Sequence, residues 1–207
     1  MKYHIITPMA RFDNYKNIKS MLESYVSGGI DLSWEIITDS DSDVRVDSPL
    51  PWINSYKCPN EGEEFWKRCN YSINWYLDTI NIADGDRYLF LNDDDSVDEK
   101  FFNKLNEISY DNEVIICSMQ RGISTPVDAE GPRAHPTNTL IASKENMIPC
   151  SVGIEQIILS GKVLKNYRLP LHVWGDGMFI QTVTEENKTF YAKNIYSLFN
   201  RFEKGRW

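Results

Sequence analysis

Apolar residues along this chain alternate between short unbroken runs and longer stretches with one-sided spacing. Residues 3–7, 34–38 and 87–91 are short runs rich in Ile, Leu and aromatics, the mark of buried strands. Residues 14–26 instead set Ile18, Met21, Leu22, Tyr25 and Val26 on one helical face, with Asp13 placed to cap the start and Gly28-Gly29 to end it. Residues 63–80 repeat that spacing through Phe65, Cys69, Ile73, Tyr76, Leu77 and Ile80. A short strand at 55–57, a helix over 98–108 and a strand over 113–118 complete the first half. The second half is less regular. Residues 119–137 carry Gly122, Pro126, Gly131, Pro132 and Pro136 and read as a long loop. Strands follow at 138–143 and 154–159, helices at 161–167 and 176–184, and a strand at 189–195.

Strand and helix alternate through the first 118 residues, which predicts a mostly parallel sheet covered by helices. The 207 residues suit one α/β domain. In such sheets ligands bind beyond the carboxyl ends of the strands, so the loops after Thr7, Thr38 and Leu91 can share one crevice.

Charge and cysteine usage narrow the function. A net charge of −8 gives no footprint for a nucleic acid backbone. Cys58, Cys69, Cys117 and Cys150 form no C-x-x-C pair, so zinc and thioredoxin-like readings lack support, and free thiols in a reducing cytoplasm are expected. No apolar stretch approaches the roughly 18 residues of a membrane span. Residues 1–6 read as a first strand rather than a signal peptide. A cytoplasmic protein is expected, with peripheral membrane contact or a homo-oligomer left open.

The densest chemistry is Leu91-Asn92-Asp93-Asp94-Asp95, directly after an apolar strand. Consecutive carboxylates repel one another unless water or a cation neutralises them. Hard oxygen ligands suit Mn2+ or Mg2+, which also hold diphosphates. The plain alternative is a solvated acidic turn.

Four segments together resemble the GT-A nucleotide-sugar glycosyltransferases, in particular the family-2-like group. Thr7-Pro8 ends the first strand. Ile36-Ile37-Thr38-Asp39-Ser40-Asp41-Ser42-Asp43 resembles that group's strand with an Asp-Asp-Gly-Ser-x-Asp turn. Arg68-Cys69-Asn70-Tyr71-Ser72-Ile73 resembles its Ala-Arg-Asn-x-Gly-Ile helix, with Cys69 and Ser72 departing from the pattern. Phe90-Leu91-Asn92-Asp93-Asp94-Asp95 resembles its Phe-Leu-Asp-x-Asp-Asp metal motif, with Asn92 at the first Asp. Further on, Trp174-Gly175-Asp176 resembles its Gly-Glu-Asp helix start, with Gly175 for Glu, and Glu203-Lys204-Gly205-Arg206-Trp207 resembles a Gln-x-x-Arg-Trp motif.

The resemblance implies a single GT-A (Rossmann-like) domain, with a nucleotide-binding half over 1–118 and a small mixed acceptor-side region and tail over 119–207. It implies hexosyl transfer from a nucleotide-diphosphate sugar, a UDP-sugar foremost, to a carbohydrate or other hydroxyl. Asp39 and Asp41 would hold the nucleoside. Thr7, Pro8, Arg11, Arg68, Asn70, Asn92, Asp93 and Arg206 would line the donor. Asp94 and Asp95 would hold Mn2+ or Mg2+, with His172 a third candidate ligand. Asp176 would be the general base of an inverting reaction; its plain alternative is a helix N-cap. Trp174 and His135 are candidate acceptor contacts. Two rivals stand beside this: a nucleotidyltransferase, although Thr7-Pro8-Met9-Ala10-Arg11 lacks the expected glycines, and a binding module without catalysis.

Overall fold

The structure is a computed structural model and describes residues 1–39, 46, 50–59, 65–121, 139–148, 152–172 and 174–199, the side chains of residues 65, 66 and 121 excepted. Strand β1 (Tyr3–Pro8) passes through a 3-10 turn (Phe12–Asn14) into helix α1 (Tyr15–Ser27). Strand β2 (Leu32–Asp39) lies parallel to β1, and β3 (Ile53–Cys58) parallel to β2. Helix α2 (Phe65–Thr79) leads to β4 (Arg87–Phe90), which pairs in parallel on the other side of β1. Then come β5 (Ser96–Val97), α3 (Phe101–Asn106) and β6 (Val114–Arg121). The later elements are β7 (Thr139–Leu140), β8 (Ile157–Ser160), α4 (Gly161–Leu164), α5 (Gly175–Glu186) and β9 (Thr189–Phe199).

The strands form one sheet in the order β3-β2-β1-β4-β8-β6-β9-β5, with β7 beside β6. Strand β8 runs against both of its neighbours, β4 and β6, so β6 and β9 share the direction of β1 to β4. The sheet is thus mostly parallel and flanked by helices, as the alternation of elements predicts.

Side chains alternate between two cores, which is why the strand runs are apolar without a break. Ile6, Ile37, Phe90 and Ile116 face one side, against Ile73, Tyr76 and Leu77 of α2 and Phe179, Ile180 and Val183 of α5. Ile5, Ile36, Leu89 and Ile115 face the other, against Ile18 and Leu22 of α1 and Phe101, Phe102 and Leu105 around α3. Covering both faces of a strand leaves no solvent side to carry polar residues.

Several local expectations are corrected. Asp13 does not cap α1; it lies in the preceding 3-10 turn, and the N-cap is Asn14, which makes no side-chain cap bond. The end of α1 is as expected, with Gly29 at φ +87° in the left-handed region that glycine enters without strain. The helix expected from residue 98 begins only at Phe101, because Asp98 accepts the Lys100 and Phe101 N–H groups in a turn. Residues 154–156 form a 3-10 turn, not the start of a strand. Strand β5 was not legible at all: it is two residues long and exists through pairing with Ser197 and Leu198. Of the loop expected at 119–137, residues 119–121 belong to β6 and the remainder lies outside the described residues.

Candidate functional site

The carboxyl ends of β2, β1 and β4 lie side by side, so the segments that follow them meet at one edge of the sheet. Backbone bonds prolong the ladders there: Met9 N–H reaches the Ile37 carbonyl (2.8 Å) and Leu91 N–H the Ile6 carbonyl (2.9 Å). This brings Ala10 and Arg11 against the acidic turn.

Asp93 Oδ2 accepts the backbone N–H groups of Ala10 (2.8 Å) and Arg11 (2.6 Å). The Arg11 guanidinium spans two carboxylates, Nη2 to Asp93 Oδ1 at 3.0 Å and Nη1 to Asp94 Oδ2 at 2.9 Å. Burial pushes the Asp93 carboxyl above its ordinary value, and the charge and hydrogen bonds of Arg11 oppose it. Asp95 is fully buried and accepts from Asn92 Nδ2 at 3.1 Å, while its own N–H closes the turn on the Asn92 carbonyl. The turn is therefore an interior, internally bonded feature rather than a solvated one.

Helix α2 supplies the floor. The Cys69 thiol donates towards Asn92 Oδ1 at 3.6 Å. Burial holds that thiol well above its usual range, and the negative charges of Asp176, Asp93, Asp94 and Asp95 add to the effect. Cys69 thus touches the acidic turn and feels the charge of Asp176 from the second half of the chain. One residue earlier, Arg68 reaches Asp39 at 3.5 Å, with both side chains about a third exposed.

Asp176 lies in the first turn of α5. The N-cap of that helix is Trp174, so the plain capping role does not apply. The Asn70 side chain and the Ile154 N–H favour its ionised form, yet loss of hydration outweighs both and pushes it above its ordinary value of 3.8. Gly175 makes this arrangement feasible. A Cβ there would fall 2.2 Å from the Pro170 carbonyl oxygen and 2.4 Å from Asn70 Nδ2, so the Glu common in the resembling pattern has no room.

Other expected donor residues fare differently. Thr7 is wholly buried and accepts the Trp34 indole N–H at 2.9 Å. Asn70 is likewise turned inward, to Asp176 and to the Pro170 carbonyl at 3.1 Å. Pro8 is part-buried at the end of β1. Exposed His172 accepts the Trp174 N–H through Nδ1 at 3.2 Å, and Trp174 itself is 48% exposed. Asp41, His135 and Arg206 lie outside the described residues. The Ile154 N–H and Cys69 were not foreseen as site elements. Cys69 appeared only as a departure from a pattern, and a backbone N–H leaves no sequence signal.

Fit to a divalent ion can be tested on this geometry. Both oxygens of Asp93 are bonded, one oxygen of Asp94 is held by Arg11, and Asn92 brings no charge. Among the described residues, no group of three His, Cys, Asp or Glu side chains stands together as a metal-binding set, so Asp94, Asp95 and His172 are not gathered as one. The arrangement does not fit a resident Mn2+ or Mg2+. Among the described residues, no helix is long and apolar enough to cross a membrane.

No protein-family model matches the sequence, and no curated protein matches it. Solved structures do match in shape. TarS (residues 1–349) of S. aureus in complex with UDP-GlcNAc superposes with a TM-score of 0.57 at 12% identity, covering 100% of this chain and 60% of that one. The mannosyltransferase PcManGT of Pyrobaculum calidifontis, in complex with GDP-Man and Mn2+, gives 0.60 at 8% identity, covering 96% and 56%. The chain therefore spans less than two thirds of the length of these two structures. A 4-diphosphocytidyl-2C-methyl-D-erythritol synthase gives 0.54 at 9% identity, covering 93% and 89%. What such enzymes share with this chain, over nearly all of its described length, is the fold: the chain has the GT-A fold.

Proposed function

We propose that the chain transfers a sugar from a nucleotide-diphosphate sugar to an acceptor hydroxyl. The observation that carries this reading is that helix α2 meets the acidic turn after β4 through Cys69 and the start of α5 through Asn70, where burial raises the affinity of Asp176 for a proton. A hydroxyl is a poor nucleophile until a base takes its proton, and a raised carboxylate suits that task at neutral pH. In this reading Asp176 takes the acceptor proton as the acceptor oxygen bonds to the anomeric carbon. The bond from that carbon to the diphosphate breaks on the opposite face, which inverts the centre and releases a nucleoside diphosphate. Asn70 and the Ile154 N–H aim the carboxylate. Asp39 binds the nucleoside, and Arg68 beside it faces the diphosphate. Trp174 offers an exposed ring for an acceptor sugar. The UDP-GlcNAc bound by TarS makes UDP-sugars the first donors to try.

The likeness to the 4-diphosphocytidyl-2C-methyl-D-erythritol synthase, which covers most of that enzyme, favours one second reading: nucleotidyl transfer. Incubation with UDP-, GDP-, CDP- and dTDP-sugars and simple sugar acceptors, and separately with nucleoside triphosphates and a sugar phosphate, followed by 31P NMR, separates the two. Release of nucleoside diphosphate that stops in Asp176→Asn supports sugar transfer. Release of pyrophosphate from nucleoside triphosphates supports the second reading. Binding without either product leaves a module that holds nucleotide sugars.

A further inference from the structure

We infer that Arg11 is the resident cation of the acidic turn, and that the site takes up a nucleoside diphosphate group without a divalent metal ion. Three of the four carboxylate oxygens of Asp93 and Asp94 are already bonded within this chain. One guanidinium bridges Asp93 and Asp94 at 3.0 and 2.9 Å, with its own backbone N–H on the same Asp93. Side-chain exposure is 11% for Arg11, 3% for Asp93 and 8% for Asp94, so the pairing is shielded from solvent and competes strongly with an incoming ion. A shielded guanidinium held by two carboxylates outlasts a surface ion pair. Asn92 points the same way. With an amide in place of a carboxylate, the turn has one negative charge fewer, and the amide is spent on Asp95 and Cys69. A hard divalent ion needs charged oxygens facing it, and Arg11 has turned those oxygens to itself.

The consequence for the ligand is direct. With Arg11 in place the turn is no longer a bare cluster of carboxylates, and Arg68 gives the same edge a second guanidinium. The Arg11 N–H groups are held by Asp93 and Asp94, so its part is to offset their charge, while Arg68, about a third exposed, offers guanidinium N–H donors to phosphate oxygens with no ion between.

Two measurements test this, and only the second rests on the function proposed above. First, Mn2+ is titrated with the full chain and followed by electron paramagnetic resonance. The signal of free Mn2+ should be unchanged by one equivalent of wild-type protein. Stoichiometric loss of that signal on wild-type protein overturns the inference. In Arg11→Met, checked for fold by circular dichroism, the freed carboxylates should take up Mn2+. Second, UDP, GDP, CDP and dTDP binding is measured by calorimetry in EDTA and in Mn2+. Wild-type affinity should be the same in both media, and Arg11→Met should lose about tenfold in EDTA and recover with Mn2+. Wild-type binding that EDTA abolishes overturns the inference and leaves the donor reading standing. Failure to bind any nucleotide in either medium refutes the donor reading together with the nucleotide half of the inference, while the Mn2+ titration still decides the role of Arg11.

Discussion

Gly175 lies so close to Asn70 that a Cβ on it would stand 2.4 Å from Nδ2, the nitrogen that also bonds the Pro170 carbonyl at 3.1 Å. The close approach fixes where α5 begins and hence where Asp176 sits. Gly175→Ala must push the helix start away from Pro170, whose oxygen would be 2.2 Å from the new methyl group. A loss of about 1–3 kcal/mol in urea unfolding is expected, as for other overpacked sites, with a larger fall in kcat than in acceptor KM. Wild-type stability in this variant would contradict the geometry.

Asp176 should report its surroundings through pH. Its carboxyl is raised, so it stays protonated to higher pH than an ordinary aspartate. As a base it works only when ionised, and the acid limb of kcat/KM should therefore lie above 3.8. Because ionisation in the folded state is disfavoured, this group costs stability as pH rises past its unfolded value. Asp176→Asn should be more stable than wild type at neutral pH and inactive. An active Asp176→Asn would remove the base from the proposal.

Glu35 carries the opposite sign. It is buried in β2 and accepts from Ser33 (2.6 Å), Asn54 (3.1 Å) and Tyr56 (3.1 Å), with His4 at 3.4 Å. Burial alone would raise its carboxyl, but bonds from His4, Ser33 and Asn54 prevail and hold it below 4.5. Its contribution is then fully present above pH 4.5 and lost as pH falls through the lowered value. Glu35→Ala should cost about 2–4 kcal/mol near pH 7, since several buried donors lose their acceptor, and the gap to wild type should narrow in acid. A constant difference across that range would exclude the linkage.

Trp174 should separate binding from folding. Nearly half of it is exposed, so Trp174→Ala should change stability by no more than about 0.5 kcal/mol. If its ring serves the acceptor, acceptor KM rises while donor affinity stays unchanged. Unaltered acceptor kinetics would return Trp174 to the status of an ordinary surface aromatic.

The sequence made the central strands legible because Ile5-Ile6, Ile36-Ile37 and Ile115-Ile116 feed two cores at once, and a strand buried on both faces can be nothing but apolar. Asp39, Asp93, Asp94 and Asp176 were legible as a set because each follows a strand or opens a helix. Their partners were not. Arg11 meets Asp93 across 82 positions of sequence, and Asn70 meets the Pro170 carbonyl across 100. Such pairings depend on how the sheet is ordered, which local spacing does not encode. The same holds for β5, whose two residues are a strand only because β9 runs past them.

The placement of β8 has a consequence for how the chain reaches this state. It threads between β4 and β6, strands from the other half, and β9 then closes on β6 and β5. Neither half can complete its sheet alone. The transition state must bring distant segments together before their pairing repays the lost chain freedom, so folding should be slow for a chain of this length and should proceed without an independently stable half.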